Sequence, residues 1–344
     1  MSSTKMLAVV ILALTLLPAA SQTLSQAPAQ TLPSTLPSTW PNTWPSKPVT
    51  VVVPFPAGSA SDVVARILAP RLSGLLKKEV IIENVSGAGG TTGALRVARA
   101  DPDGYQIAFG VTGTHSQNQL LYKNPPYDAT SDFAPVGLIA EAPYMLITRP
   151  DFPASDLKEF KSFAKGNEAK LQYGSGGPGS GTHITCLLLN NAIGIETTHI
   201  PYRSTSQAMP DLLAGRIDYM CDPIQTALPG TQQKTVKALA TLSRDRAALL
   251  PAVPTAHEQG VANFDASIWF ALFFPKNTPE AIILRLNGVL STALDSKSVR
   301  ERLESNGLRL AAPARRNADY LARFVASEIE KYAGPIKASG ASLD

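Results

Sequence analysis

Cysteine, histidine and long apolar runs are all scarce in this chain. Its 344 residues include two cysteines (Cys186 and Cys221) and four histidines (His115, His183, His199 and His257). None of these falls at a metal-ligating spacing. No apolar stretch reaches the roughly 20 residues that a membrane-spanning helix needs. Excess charge is scarce too: 31 Lys+Arg against 27 Asp+Glu leaves +4. Basic runs stop at Lys77-Lys78 and Arg315-Arg316, which argues against nucleic acid as a partner. At 44% hydrophobic and 17% charged, the composition excludes a disordered chain and a coiled coil. The length predicts about two domains.

Enzyme signatures are missing as well. Gly87, Gly89, Gly90 and Gly93 break the dinucleotide spacing, because Thr92 stands where the third glycine belongs. No Lys-Ser/Thr pair completes a phosphate loop. Ser180 lies between Pro178 and Thr182, so it forms no nucleophile elbow. The expectation is a protein that is not an enzyme and carries no cofactor. An α/β enzyme is the rival reading, and it requires a titratable pair in a cleft.

The N-terminus reads as an address. Lys5 precedes an apolar run from Met6 to Leu14 that continues through Leu16-Leu17, and Pro18-Ala-Ala-Ser21 follows. This is the order of a secretory signal, assigned to 1–21, and it implies export. No cysteine near the cleavage site could carry a lipid. Residues 22–46 include four tetrapeptides beginning at Thr31, Thr35, Thr39 and Thr43, each with proline third. Proline at every fourth position forbids a helix and favours an extended leader. Docking by Trp40 and Trp44 is the alternative. In an oxidising compartment Cys186 and Cys221 can form a bridge or remain two buried thiols, and the bridge is the favoured reading.

From Lys47 onward, strands alternate with helices. Strands at 50–53, 80–83 and 106–111 surround helices that begin near Ser61 and Thr92. This βαβαβ order implies a largely parallel sheet. A second unit follows: strand 171–173, helix 182–193, strand 197–200, helix 205–214 and strand 217–220. Later come strands at 236–241 and 269–274, then helices at 279–294, 299–305 and 317–336. Each unit sets a glycine/serine loop between a strand's carboxyl end and a helix's N-terminus, where α/β folds bind ligands. These loops are Gly58-Ser-Ala-Ser-Asp62 and Gly174-Ser-Gly-Gly-Pro-Gly-Ser-Gly181. Unpaired N–H groups there attract anions. Hydroxyls of Ser59, Ser61, Ser175, Ser180 and Thr182 add donors, and neither loop contains Lys or Arg. That chemistry suits a small carboxylate better than a nucleotide triphosphate. His183 can orient a carboxylate or simply pack. Arg203 can meet an anion or pair with Asp211 or Asp218. Asp222 can bind a ligand's amino or hydroxyl group or cap the Pro223 turn.

An ordered series of motifs spans residues 44–340. It includes Trp44-Pro-Ser-Lys-Pro-Val, Pro54-Phe-Pro-Ala-Gly-Ser-Ala-Ser-Asp62, and Asn84 with Gly87-Ala-Gly-Gly90 and Gly93-Ala94. Ala100-Asp-Pro-Asp-Gly-Tyr105, Tyr127-Asp128 and Asp132-Phe-Ala-Pro-Val136 follow. The series closes with Tyr173-Gly-Ser, His183, His199-Ile-Pro-Tyr-Arg203, Asp211-Leu-Leu-Ala-Gly-Arg-Ile-Asp218, Pro254-Thr-Ala and Glu258-Gln-Gly260. Together these resemble the Bug receptors, the periplasmic solute-binding proteins of tripartite tricarboxylate transporters. The resemblance implies an α/β, two-lobed type II periplasmic binding protein fold: two Rossmann-like domains with a hinge between them, closing like a clamshell. Lobe one is expected at 47–146 plus 267–344, and lobe two at 147–266. The implied ligand is a di- or tricarboxylate, an acidic amino acid or an aromatic acid, held by main-chain amides and bridging waters. Phe55, Ala57, Gly58, Ser59, Asp62, Thr112, Gly113 and Thr114 are expected to line one side. Ser175, Ser180, Thr182, His183, Arg203 and Asp222 are expected on the other. Ser59 stands where the family commonly has a second glycine. Cys186 and Cys221, not general to the family, fall on a helix and a strand of one lobe. The implied partner is a membrane permease, or alternatively a sensor kinase, served by a monomeric receptor.

Overall fold

A computed structural model describes residues 44–343. The signal segment and nearly all of the leader lie outside the described residues. The leader assigned to 22–46 overlaps the folded body, because Trp44 is buried against Phe274 and Tyr105. The indole lies over Gly104, where a Cβ would come within 2.6 Å of its Nε1 and 2.7 Å of Ile282.

Each half begins with parallel strands. β1 (Val49–Val53) pairs in parallel with β2 (Val80–Asn84) and with β3 (Gln106–Val111). Helix α1 (Ala60–Leu76) crosses from β1 to β2, and α2 (Thr91–Ala98) leads toward β3. α1 runs through Pro70 with its apolar side (Val64, Leu68, Leu72, Leu76) in the core. The strands are rich in Val and Ile; β1 and β3 are almost wholly buried, as parallel strands under helices should be, while the edge strand β2 is partly exposed at Ile81.

The 16-residue β4 (Phe133–Thr148) was not legible in the sequence. Pro135, Gly137 and Pro143 interrupt its pattern. β4 runs antiparallel to β9 (Ser267–Pro275) over Phe133–Pro143, with two register shifts. Over Tyr144–Thr148 it runs antiparallel to β7 (Tyr219–Pro223), and β8 (Lys237–Thr241) also pairs with it there. The middle of the sheet is therefore antiparallel, which corrects the largely parallel expectation. β5 (Gln172–Ser175) lies parallel to β6 (Thr198–Pro201) and to β7. The order is β2-β1-β3-β9-β4-β7-β5-β6, with β8 and the short β10 (Arg309–Leu310) also on β4.

Helices α3 (Leu157–Lys165), α4 (Gly181–Ile193), α5 (Thr205–Leu213) and α6 (Ile224–Gln232) cover the β5–β7 half. The sequence pattern had not shown α3 and α6. Helices α7 (Glu280–Asp295), α8 (Lys297–Glu304) and α9 (Ala318–Ala338) complete the chain. β7 starts two residues later than the strand read at 217–220, so Asp222 lies within it and not at its end.

Cys186 on α4 and Cys221 on β7 form a disulfide, with Cα atoms 5.3 Å apart and both side chains fully buried. It closes a 35-residue separation. In the chain-entropy account such a closure stabilises by about 3–4 kcal/mol. Converting both cysteines to serine should lower the urea midpoint accordingly while leaving ligand affinity within a few fold. Equal midpoints would show that the bridge contributes nothing.

Candidate functional site

Three helices begin at one pocket. Its wall contains Ser59, Ala60 and Ser61 from the start of α1, Ser180, Gly181 and Thr182 from α4, and Ser204 and Thr205 from α5. Phe55, Val111, Tyr144, Gly176, Pro223 and Ile268 complete it. The space open to the centres of water molecules is about 40 Å³.

The three starts are built alike. Ser59 accepts from the Asp62 N–H, Ser180 from His183 and Ser204 from Gln207. Each cap serves the third N–H of its helix and leaves the first two without an intrahelical partner. All of those remaining donors except that of Ser206 belong to pocket-wall residues. Each terminus also carries a partial positive charge of about half a unit. The wall thus attracts an anion without a cationic side chain. The sequence showed all three helix starts but assigned only the α1 and α4 loops to the site; Ser204-Thr205, which also follows a strand, carries the same signal. Tyr144 could not be read, because it belongs to the unread β4.

The expected site residues fall into three groups. Phe55, Ser59, Ser180 and Thr182 are pocket wall. Asp62, Thr112, Thr114, Ser175 and His183 are near the site but are engaged in holding its loops. Asp62 accepts from Gly58 N–H, from Arg66 Nε and from Asn84 Nδ2, all at 2.9 Å. Asn84 also donates to the Phe55 carbonyl. Burial works to raise the Asp62 pKa, but the Arg66, Gly58 and Asn84 hydrogen bonds bring it below the usual carboxylate range. Thr112 donates to the Ser267 carbonyl and accepts from the Trp269 N–H, stitching the end of β3 to β9. Thr114 Oγ1 bonds both backbone groups of Val111. Ser175 meets His199 Nε2 at 2.6 Å, and His183 Nδ1 accepts from the Gly179 N–H. The third group does not reach the wall. Ala57, Gly58 and Arg203 are exposed. Arg203 pairs with neither acid considered for it: Asp211 pairs with Arg216, and Asp218 with Arg149. Asp222 lies behind the wall, fully buried.

Gly89 and Gly113 bring two of these loops together. A Cβ on Gly113 would lie 2.7 Å from the Gly181 N. One on Gly89 would collide with Pro178 O and lie 2.6 Å from Ser180 N. The loops after β2 and β3 therefore press backbone to backbone on the loop after β5. Glycine permits that close approach.

His183 and His199 stack at 4.2 Å, with Tyr173 against His199 at 4.9 Å. Burial lowers both histidines to about 4, and the neighbouring His183 adds to the effect on His199. Burial lowers His115 to about 3. The unfolded chain protonates histidine near 6.5. Stability from these three is therefore complete above 6.5 and is lost as pH falls toward 4. Asp222, raised by burial to about 7, acts oppositely: its contribution is lost as pH rises from 3.8 to 7. Glu328, also raised by burial, acts as Asp222 does; the three histidines outweigh these two carboxyls, so the urea midpoint should fall as pH drops from 6.5 to 4.5. A midpoint unchanged over that range would contradict this assignment.

Comparison with known proteins places this architecture. The tripartite tricarboxylate transporter family receptor description matches residues 64–341. MatC (Rpa3494) from Rhodopseudomonas palustris, solved with bound malate, is 39% identical with a TM-score of 0.83, over 85% of this chain and 99% of that one. Rpa4515 of R. palustris, solved with adipate, is 31% identical with a TM-score of 0.82, over 87% and 99%. Protein BugT of Bordetella pertussis is 33% identical over 87% of this chain and 91% of its own. The two-lobed fold and its receptor role follow from these matches, and the chain belongs to the tripartite tricarboxylate transporter receptor family.

Proposed function

We propose that this chain is a periplasmic receptor that captures a small carboxylate between its lobes and delivers it to the membrane permease of a tripartite transporter. The convergence of three serine-capped helix N-termini on one pocket carries the reading. It offers partial charge and N–H donors for a carboxylate, with no fixed cation to hold the ligand too long. The malate and adipate seated in two relatives support the same ligand class. The signal-like segment at 1–21 supports export, and no described helix is long and apolar enough to cross a membrane. A separate membrane partner fits that arrangement.

The proposed lobes are 47–146 plus 267–344, and 147–266. β4 crosses the first boundary and β9 begins at the second, which suits a hinge there. The ligand contacts are proposed to be Phe55, Ser59, Ser61, Tyr144, Ser180, Thr182, Ser204 and Thr205. The pocket wall is shared by loops of both proposed lobes, so the ligand enters with the loops apart. Closure then follows from tighter binding to the closed form.

Thermal melting against L-malate, adipate, L-aspartate, benzoate and glucose tests the ligand class. A ligand at 100 times its Kd stabilises by about 2.7 kcal/mol. A shift with one carboxylate group and none with glucose is the expected result. A shift with glucose alone would overturn the carboxylate reading.

A further inference from the structure

Asp222 is an acid buried where an acid is expensive. Its side chain is fully buried, and neither carboxylate oxygen completes a hydrogen bond of good geometry. Such a group needs an explanation. Two adjoining residues place it directly behind the pocket wall. Pro223 follows it in the chain, and the Thr205 hydroxyl sits beside its carboxyl; both are wall residues. Thr226 of α6 is also beside it, with its hydroxyl proton donated to the Pro223 carbonyl, so a lone pair is left for the acid. Across β4, Met145 pairs opposite Asp222, and the Tyr144 phenol is the titratable group within its field. Burial keeps that phenol neutral at ordinary pH. No lysine, arginine or histidine among the described residues pairs with Asp222.

We propose that Asp222 is a positioning residue that couples the binding of dicarboxylates to a proton, by setting which way the Thr205 hydroxyl points. This rests on the carboxylate reading of the pocket. As the neutral acid, Asp222 donates its proton to Thr205 Oγ1, and the Thr205 hydroxyl is free to donate to a ligand carboxylate. As the anion, Asp222 takes the Thr205 proton for itself. The ligand then meets a lone pair and a buried negative charge behind it. Complete burial holds the free protein's Asp222 at about 7, so the change falls within the range of the periplasm. A bound dianion raises that value further, and binding above pH 7 therefore takes up a proton. His183 and His199, held near 4, do not titrate in this range.

Titration calorimetry with succinate and adipate between pH 6 and 8.5 tests the coupling, using buffers of different ionisation enthalpy to count protons. Both ligands stay fully ionised over most of that range. The expected Kd is flat near pH 6 and rises toward tenfold per pH unit above 7, with uptake approaching one proton per ligand. Asp222→Asn, which keeps a neutral donor of the same shape, should bind tightly at every pH with no proton uptake. Should that variant fail to fold, the proton count on the unaltered protein still decides. Dicarboxylate binding with a flat profile and no proton uptake overturns the coupling alone. A slope retained in Asp222→Asn assigns the proton to another group and also overturns it. Absence of binding by any dicarboxylate at any pH overturns the carboxylate reading and this proposal with it.

Discussion

Replacing Gly113 by alanine should weaken carboxylate binding by about 5- to 150-fold while leaving the melting temperature of the free protein nearly unchanged. The added Cβ would lie 2.7 Å from the Gly181 N and 3.4 Å from its Cα, both backbone atoms of the facing loop. Backbone cannot rotate aside as a side-chain tip can. Overpacking of this kind costs about 1–3 kcal/mol, which corresponds to that loss of affinity. The cost falls on the closed state alone, because the clash disappears when the loops separate. Gly113 needs no positive φ, so backbone strain does not complicate the result. Gly89→Ala should act in the same direction, with added strain from its φ of +60°. Gly74→Ala within α1, with nothing within 4 Å of its Cβ, is the control and should leave affinity unchanged. An unaltered Kd in Gly113→Ala would mean that the ligand-bound state does not close along this seam.

The second large effect is on stability. Trp44→Ala should lower the free energy of unfolding by about 3–5 kcal/mol, the usual range for losing a buried tryptophan. The indole fills the space between Tyr105, Phe274 and Gly104. The residues around it belong to α7, β9 and the turn before β3, and they cannot collapse together to fill the gap. A chain shortened to begin at Lys47 should show the same deficit, whereas one beginning at Pro41 should not. Urea denaturation of the three proteins measures this. A Trp44→Ala midpoint equal to the parent's would show that the indole adds nothing to the body.

Much of the fold was legible because local signals agreed with tertiary need. The strand–serine–helix signal marked α1, α4 and α5 correctly, but the start of α5 was not read as part of the site. β4 was hidden because its identity is not local. Pro135 and Pro143 argue against a strand in isolation, and only pairing with β9, β7 and β8, with bulges where register shifts, makes it one. The site was legible to the level of its loops. Which residue in a loop faces the pocket depends on partners distant in sequence. The hydrogen bonds of Asp62 to Asn84 and Arg66, and of Thr112 to Trp269, are examples of such distant partners. The glycine-rich loops were correctly placed, but the facing loop that explains their composition is visible only once the two halves are brought together.

The most direct test of the central claim is a crystal structure of ligand-stripped protein soaked or grown with L-malate. The account predicts one malate among Ser59–Ser61, Ser180–Thr182 and Ser204–Thr205, with a carboxylate on the N–H groups of at least two of these helix starts. It also predicts Gly113 packed against Gly181. Malate found elsewhere, such as the groove of about 980 Å³ lined by Leu188, Asn191, Tyr332 and Pro335, would contradict the account. So would malate in the pocket with no contact to any of the three helix starts.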